Sequence, residues 1–360
     1  MKIAIALGTR PEIIKMAPVI RELERKSADF FILHTGQHYS YNLDKVFFEQ
    51  LKLPQPKYNL EVGSGSDAEQ TGKILIGVER ILQQESPYIV LVEGDTNSVL
   101  AAALAAAKLH IMVGHVEAGL RSYDRNMPEE INRILTDHCS DYLFAPTEKA
   151  KQILLGEGTA KEKIFVTGNT IVDAIYQNLE ISRESGDILS SLRLNPREYF
   201  VVTLHRQENV DNRARFASIL EGLDRVAAEF EMPVIYPIHP RSRKMMAKFG
   251  LQSRHLVLAE PMNFLSFLQL ESSARLILTD SGGVQEEACV LSVPCVTLRD
   301  NTERPETLEV GANTLAGVSP DRILEHTRLM LNRENNWVNP FGDGTAGRKI
   351  VAIIMGGNDG

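Results

Sequence analysis

Short apolar runs that end in a polar, often glycine-bearing loop recur from one end of this chain to the other, and most are followed by an amphipathic segment. Lys2–Leu7, Ile89–Glu93 and Leu276–Thr279 are too short for core helices and too continuously apolar for strands wetted on one face. Such strands are buried on both faces, and their alternation with helices is the pattern of a parallel sheet covered by helices. An α/β fold is therefore expected. In the first half the strands are placed at Lys2–Leu7, 30–35, Ile89–Glu93, 111–116, Tyr142–Ala145 and 164–167. A second series begins near Asn169, with strands at 199–204, Val234–Pro237, 256–258, Leu276–Thr279 and 294–298. Between them, Phe216, Ile219, Leu220, Leu223, Val226 and Ala227 form one helical stripe. The 360 residues suffice for two domains with separate cores. Their expected bounds are 1–168 and 169–345, with a C-terminal helix within 346–360 returning to the first.

Four loop segments concentrate the chemistry: Gly8-Thr9-Arg10-Pro11-Glu12, Glu93-Gly94-Asp95-Thr96, His115-Val116-Glu117-Ala118-Gly119 and Asp280-Ser281-Gly282-Gly283-Val284-Gln285-Glu286-Glu287. Each follows an expected strand, at the edge where open α/β sheets bind ligands. In the first, Gly8 permits a tight turn, Pro11 suits a first helical turn and Glu12 complements the helix dipole. The N–H groups of such a helix start favour an anion, Arg10 can fork onto phosphate oxygens, and Lys15 adds positive charge nearby. An ordinary strand–helix turn with a surface arginine is the plainer alternative. Ser281, Gly282 and Gly283 form a second anion site of the same kind, against the alternative of a simple serine cap. Asp95 and Glu117 lie beyond consecutive strands, and Glu129 opens a helix. Carboxylates with like-charged neighbours can move protons near neutrality, whereas any one of these alone reads as solvated or as a cap. His205 and Arg206 follow the first strong strand of the second half, where a histidine can bind diphosphate or shuttle a proton. His239 also follows a strand and fits a structural role equally well.

Composition removes several function classes. A formal net charge of -8 argues against general nucleic-acid binding. The three cysteines, Cys139, Cys289 and Cys295, include no CxxC pair, which favours a reduced, cytoplasmic chain over a disulfide framework or a zinc site. Residues 3–7 are too few for a signal-peptide core, and the longest apolar stretch, 99–107, is far short of the roughly 20 residues that span a bilayer. No membrane association is expected. Gly63-Ser64-Gly65-Ser66-Asp67-Ala68 has the spacing of a dinucleotide loop but no convincing strand before it, so a polar loop is the better reading. Neither a nicotinamide cofactor nor a tightly bound metal is expected.

Taken together, the four segments with Gln37-His38, Pro128-Glu129-Glu130-Ile131-Asn132-Arg133, His205-Arg206 and Arg299-Asp300-Asn301-Thr302-Glu303-Arg304-Pro305-Glu306 resemble the non-hydrolysing UDP-N-acetylglucosamine 2-epimerases over nearly the whole chain. The resemblance implies two Rossmann-like domains facing across a cleft, of the glycosyltransferase-B type, in a homodimer that needs no organic cofactor. It implies conversion of UDP-GlcNAc to UDP-ManNAc by elimination of UDP to 2-acetamidoglucal and re-addition, supplying surface polysaccharides. By resemblance, Asp95, Glu117 and Glu129 are the acid/base candidates, with Lys15 and His205 supporting. By the same resemblance, Arg10, His205, Ser281, Gly282 and Gly283 are expected to hold the diphosphate and Glu287 the ribose, Phe267 either to pack near the uracil or to belong to the apolar core, and Thr302 and Arg304 to close the nucleotide site. Gln37, Arg206 and His239, with Glu129, match positions used by relatives that bind a second UDP-GlcNAc as activator. Ser40 and Glu69 depart from that pattern, so activation is expected to be absent or altered. A hydrolysing epimerase releasing ManNAc and UDP, a nucleotide-sugar transferase and a silent sensor remain the alternatives.

Overall fold

The computed structural model describes residues 1–37, 41–184 and 186–356, residues 41–44 by backbone alone. His38 and Ser40 lie outside the described residues. The chain divides into two compact units, one of Met1–Gln177 with Phe341–Gly360 and one of Asn178–Pro340.

The first unit holds the strands β1 (Lys2–Leu7), β2 (Asp29–His34), β3 (Tyr58–Asn59), β4 (Ile89–Glu93), β5 (Met112–Val116), β6 (Tyr142–Ala145) and β7 (Ile164–Val166). They form one parallel sheet in the order β3-β2-β1-β4-β5-β6-β7. The second unit holds β8 (Phe200–Thr203), β9 (Val234–Pro237), β10 (Leu256–Ala259), β11 (Leu276–Thr279), β12 (Cys295–Thr297) and β13 (Asn313–Leu315), again all parallel, in the order β10-β9-β8-β11-β12-β13. Both are doubly wound, Rossmann-like α/β sheets, as the alternation of strand and helix led us to expect. In such sheets the strand order reverses beside the first strand, here between β1 and β4 and between β8 and β11. The loops after those strands are the places where each unit can bind a ligand.

Local sequence explains what packs on the sheets. In helix Asn97–Lys108 the alanines 101, 102, 103, 105 and 106 are buried, and their small side chains let helix Asp67–Glu85 and the sheet approach closely. On the second sheet, helix Arg213–Phe230 buries the whole predicted stripe from Phe216 to Ala227. Each large aliphatic side chain so buried contributes about 1.5–3 kcal/mol. The predicted C-terminal helix is Ala346–Ile354, and it packs on helix Arg10–Arg25 within the first unit. Its N-terminal amides at Ala346 and Gly347 donate to the Asp173 carboxylate, at 3.2 and 2.9 Å. A side chain at Gly347 would meet Pro18 at 2.9 Å, so glycine sets how closely the two helices cross. Among the described residues no helix is long and apolar enough to cross a membrane.

Candidate active site

The loop after β1 is built around Glu12. Thr9 stands at the start of helix Arg10–Arg25 without a side-chain cap bond, and Pro11 sits in its first turn. Glu12 is 2% exposed and accepts from the Gly8 amide (2.7 Å), the Thr9 hydroxyl (2.9 Å) and the Thr96 hydroxyl (2.7 Å). It therefore ties the loops after β1 and β4 together across the switch point. Burial pushes its pKa up to about 7 against these three hydrogen bonds, and the Asp95 charge adds to the rise. Gly8 is required by contact: a Cβ there would collide with the hydroxyls of Thr35 and Ser98, which bond each other at 2.7 Å.

Beyond β4 and β5, Lys15 Nζ lies 2.5 Å from Glu117 and 3.2 Å from Glu93. Asn169 donates to the other Glu117 oxygen at 2.9 Å. Glu117 has φ +70, a left-handed conformation that a glutamate adopts only under constraint, and this aims its side chain back at Lys15. The constraint is visible beneath it. His115 Nε2 bonds the Gly94 carbonyl (2.9 Å), and its Nδ1 bonds Asp137 (2.6 Å). Asp137 also takes Arg121 at 2.7 Å and the Gly119 amide at 3.2 Å. Burial alone would raise the Asp137 pKa, but His115 and Arg121 outweigh it and hold it below the usual range. Both ends of the 117–119 turn are thus anchored to one buried anion.

The three predicted carboxylates separate. Glu117 joins Lys15 as described. Asp95 is paired with Arg133, while Thr96, not Asp95, caps the following helix. Glu129 is exposed in the first turn of helix Pro128–Cys139, and its neighbour Glu130 is the buried one. Glu130 accepts from the amides of Ser122 and Tyr123, at 2.8 and 2.9 Å, and pairs with Arg133. Gln37 is 4% exposed and accepts from the Ser98 amide and hydroxyl at 3.1 and 2.6 Å. Glu69 is exposed and paired with Lys73.

In the second unit, the loops after β8 and β11 meet on Asp280. That fully buried carboxylate accepts from the amides of His205 and Arg206 and from the Asn209 side chain, and its nearer oxygen is 3.4 Å from His205 Nδ1. The His205 side chain is 43% exposed. Partial burial lowers its pKa against the pull of Asp280, and Arg206, His239 and Arg299 reinforce the lowering. Its imidazole stands 6.3 Å from the exposed His239 ring. Helix Gly282–Val290 begins at Ser281, whose side chain makes no cap bond. A Cβ on Gly283 would meet only Ser281 Oγ, at 4.0 Å, so the helix start carries accessible backbone of the kind anions favour.

The flank of that helix is held by side chains. Gln285 accepts from Thr302 at 2.5 Å, and Glu286 pairs with Arg304 at 2.7 Å. Arg299 binds Glu208 and Glu303, and Arg206 stands 3.8 Å from Glu303. Phe267 packs on the apolar cluster under the sheet. Glu287 is half-buried against fully buried Glu271, the two carboxyls sharing a hydrogen bond. Burial moves Glu287 up to about 7 and Glu271 well above its ordinary value.

The family model for UDP-N-acetylglucosamine 2-epimerase matches residues 21–355. The chain belongs to this family. The UDP-N-acetylglucosamine 2-epimerase of Methanocaldococcus jannaschii is 56% identical over 365 residues, covering 99% of this chain and 100% of that one. A crystal structure of UDP-GlcNAc 2-epimerase from the same organism, in complex with UDP-GlcNAc and UDP, aligns with a TM-score of 0.86 over 99% of this chain and 100% of that one, at 56% identity. The UDP-2,3-diacetamido-2,3-dideoxy-D-glucuronate 2-epimerase of Pseudomonas aeruginosa is 42% identical, with 98% of this chain and 99% of that one covered. The family therefore includes enzymes named for more than one nucleotide sugar. Sequence reasoning missed Glu12 as a buried anchor and also missed Glu93, Asp137 and Glu271. Thr9 and Glu12 stand in the spacing of a capping box, which was a usable signal for the first of these.

Proposed function

We propose that this protein interconverts UDP-GlcNAc and UDP-ManNAc at C2 without hydrolysing the sugar, by anti or syn elimination of UDP and its re-addition. In this reading the second unit holds the nucleotide. The helix start at Ser281–Gly283 and His205 receive the diphosphate, Glu287 the ribose hydroxyls, and Phe267 lies toward the uracil; Thr302 and Arg304 fix the helix flank. The first unit supplies proton transfer. The C2 hydrogen of the sugar has no adjacent carbonyl, so it leaves only as the C1–O bond to UDP breaks. A carboxylate takes the proton, the electron pair of the C–H bond becomes the C1–C2 double bond, and the diphosphate departs with the C1–O pair. Re-addition delivers a proton to the other face of C2, which requires a second positioned acid among Asp95, Glu117 and Glu129. Arg10 and Lys15 offset the negative charge that develops.

The Glu117 carboxylate carries this reading, held to Lys15 and Asn169 at the strand edge beside a switch point. A hydrolase or transferase acting at C1 needs no group to move a C2 proton. The 56% identity to a UDP-GlcNAc 2-epimerase, against 42% to the diacetamido-glucuronate enzyme, supports UDP-GlcNAc as the sugar nucleotide. The test is proton NMR of the purified protein with UDP-GlcNAc alone in D2O. UDP-ManNAc carrying deuterium at C2 is expected. Free ManNAc with UDP would establish hydrolysis instead, and turnover only with the diacetamido-glucuronate nucleotide would reassign the substrate.

A further inference from the structure

Glu93 ends β4 as the last residue of a strand buried on both faces, and its side chain is 2% exposed. Beside it, the Glu117 side chain is 7% exposed and Lys15 is 15% exposed. Three groups that are ionised in water are therefore gathered almost out of solvent, two carboxyls to one ammonium. Glu12, from the same helix as Lys15, adds its carboxyl to the field at Glu93. Two ionised carboxylates sharing one cation would leave a net buried negative charge, and proteins relieve that cost by protonating one partner. Geometry selects which one. Both Glu117 oxygens receive a donor, Lys15 at 2.5 Å on one and Asn169 at 2.9 Å on the other. Glu93 is reached by the same ammonium only at the longer 3.2 Å, on an oxygen that makes no regular hydrogen bond, and its carboxyl otherwise hydrogen-bonds that of Glu117.

We propose that Glu93 is a positioning residue for the Glu117 base, holding as a neutral carboxylic acid the one proton the pair shares and so keeping Glu117 ionised and Lys15 committed to it. The inference rests on the reading of Glu117 as a proton-transfer group. Burial and the Glu117 charge push the Glu93 pKa well above the ordinary range, and the Lys15 charge does not cancel them. Once Glu93 ionises at high pH, Lys15 is divided between two carboxylates and the base loses its fixed partner. Turnover then falls on the alkaline side. A purely structural ion pair between Glu93 and Lys15 predicts the reverse, since it would be strongest with Glu93 ionised.

The experiment compares wild type with Glu93→Gln, a neutral replacement that cannot ionise. In the wild type an alkaline limb in kcat is expected, and in Glu93→Gln that limb moves to higher pH by about one pH unit or more. The infrared carbonyl stretch of a protonated carboxyl, recorded on protein without substrate at neutral pH, is expected to weaken in the variant by the contribution of one group. Should the amide fail to fold, Glu93→Met makes the same substitution of a neutral side chain, with the same expected limb. Superimposable pH profiles, or an unchanged infrared band, would overturn the proposal. Failure of the epimerase reading is separately visible as absence of turnover in wild type, and the infrared measurement still decides the state of Glu93.

Discussion

Glu12→Gln isolates the energetic consequence of burying a carboxyl in the loop after β1. In the folded chain Glu12 binds its proton up to about pH 7, whereas the unfolded chain releases it near the ordinary glutamate value of 4.5. Between these values the folded state holds more protons, so stability is greatest below 4.5, falls as pH rises through the window, and levels off above 7. At about 1.4 kcal/mol per tenfold difference the full loss is about 3 kcal/mol, and about 2.5 kcal/mol of it falls between pH 5 and pH 8. The glutamine form does not titrate. Its carbonyl can take the Gly8 amide, and its NH2 can donate to the Thr9 and Thr96 hydroxyls once these rotate, so its packing cost is the same at both pH values. The assay is amide hydrogen exchange of β1 and β4, which reports opening of the first unit; the single tryptophan, Trp337, lies in the other. The ratio of variant to wild-type protection should rise about 70-fold from pH 5 to pH 8. A ratio that stays level would refute the argument that burial, rather than hydrogen bonding, controls this carboxyl.

The remaining expectations use the same contacts. Gly8→Ala drives a methyl into the Thr35 and Ser98 hydroxyls and should cost about 1–3 kcal/mol, read as a lowered Tm. Gly283→Ala meets nothing closer than 4.0 Å, so Tm should hold while UDP affinity measured by calorimetry falls at least about tenfold; unchanged affinity would remove this helix start from the diphosphate site. Glu117→Gln should fold and bind UDP but lose at least about 100-fold in turnover, and near-normal turnover would exclude Glu117 from the chemistry. Uridine, which lacks phosphates, should bind the wild type about tenfold more tightly at pH 8 than at pH 6, as Glu287 ionises through about 7 and accepts the ribose hydroxyls. Equal affinity at the two pH values would show that this carboxyl is not the ribose acceptor.

Local pattern carried the architecture where a strand is mostly apolar: β1, β4, β6, β9 and β11 have the bounds expected from their hydrophobic runs. It failed at β3 and β13, whose two and three residues contain no apolar run long enough to stand out from a loop. The candidate loops stood out because glycines and charges follow buried strands, and the switch points account for that placement. What spacing could not supply was the sorting of carboxylates. Glu129 and Glu130 are adjacent in one helical turn, and only the chain's return through Ser122 and Tyr123 makes the second a buried anion. Asp137 meets His115 from 22 residues away, a contact that no periodicity encodes. Glu93 was the missed clue, being a carboxylate at the end of a strand whose every other residue is apolar.

That sorting has a functional consequence within the first unit. Buried carboxyls there fall into two groups according to the donors the fold gives them. Burial would raise Glu130 and Asp137 as it does the others, but two backbone amides and Arg133 hold Glu130 low, and His115 with Arg121 hold Asp137 low. These are fixed anions, spent on anchoring the 117–123 turn. Glu12 and Glu93 have weaker or mainly neutral donors, so burial prevails and raises both, Glu12 to about 7. Carboxyls raised by burial and carboxyls held low are thus set side by side around Glu117 and Asp95, a contrast that the proposed acid/base chemistry would use. Exchanging the donor sets, rather than moving the carboxyls, would be enough to undo it. Arg133 shows how closely the two groups are linked, because it serves the fixed anion Glu130 and the candidate acid Asp95 at once. Removing that one guanidinium should therefore disturb both the turn that positions Glu117 and the placement of the Asp95 side chain.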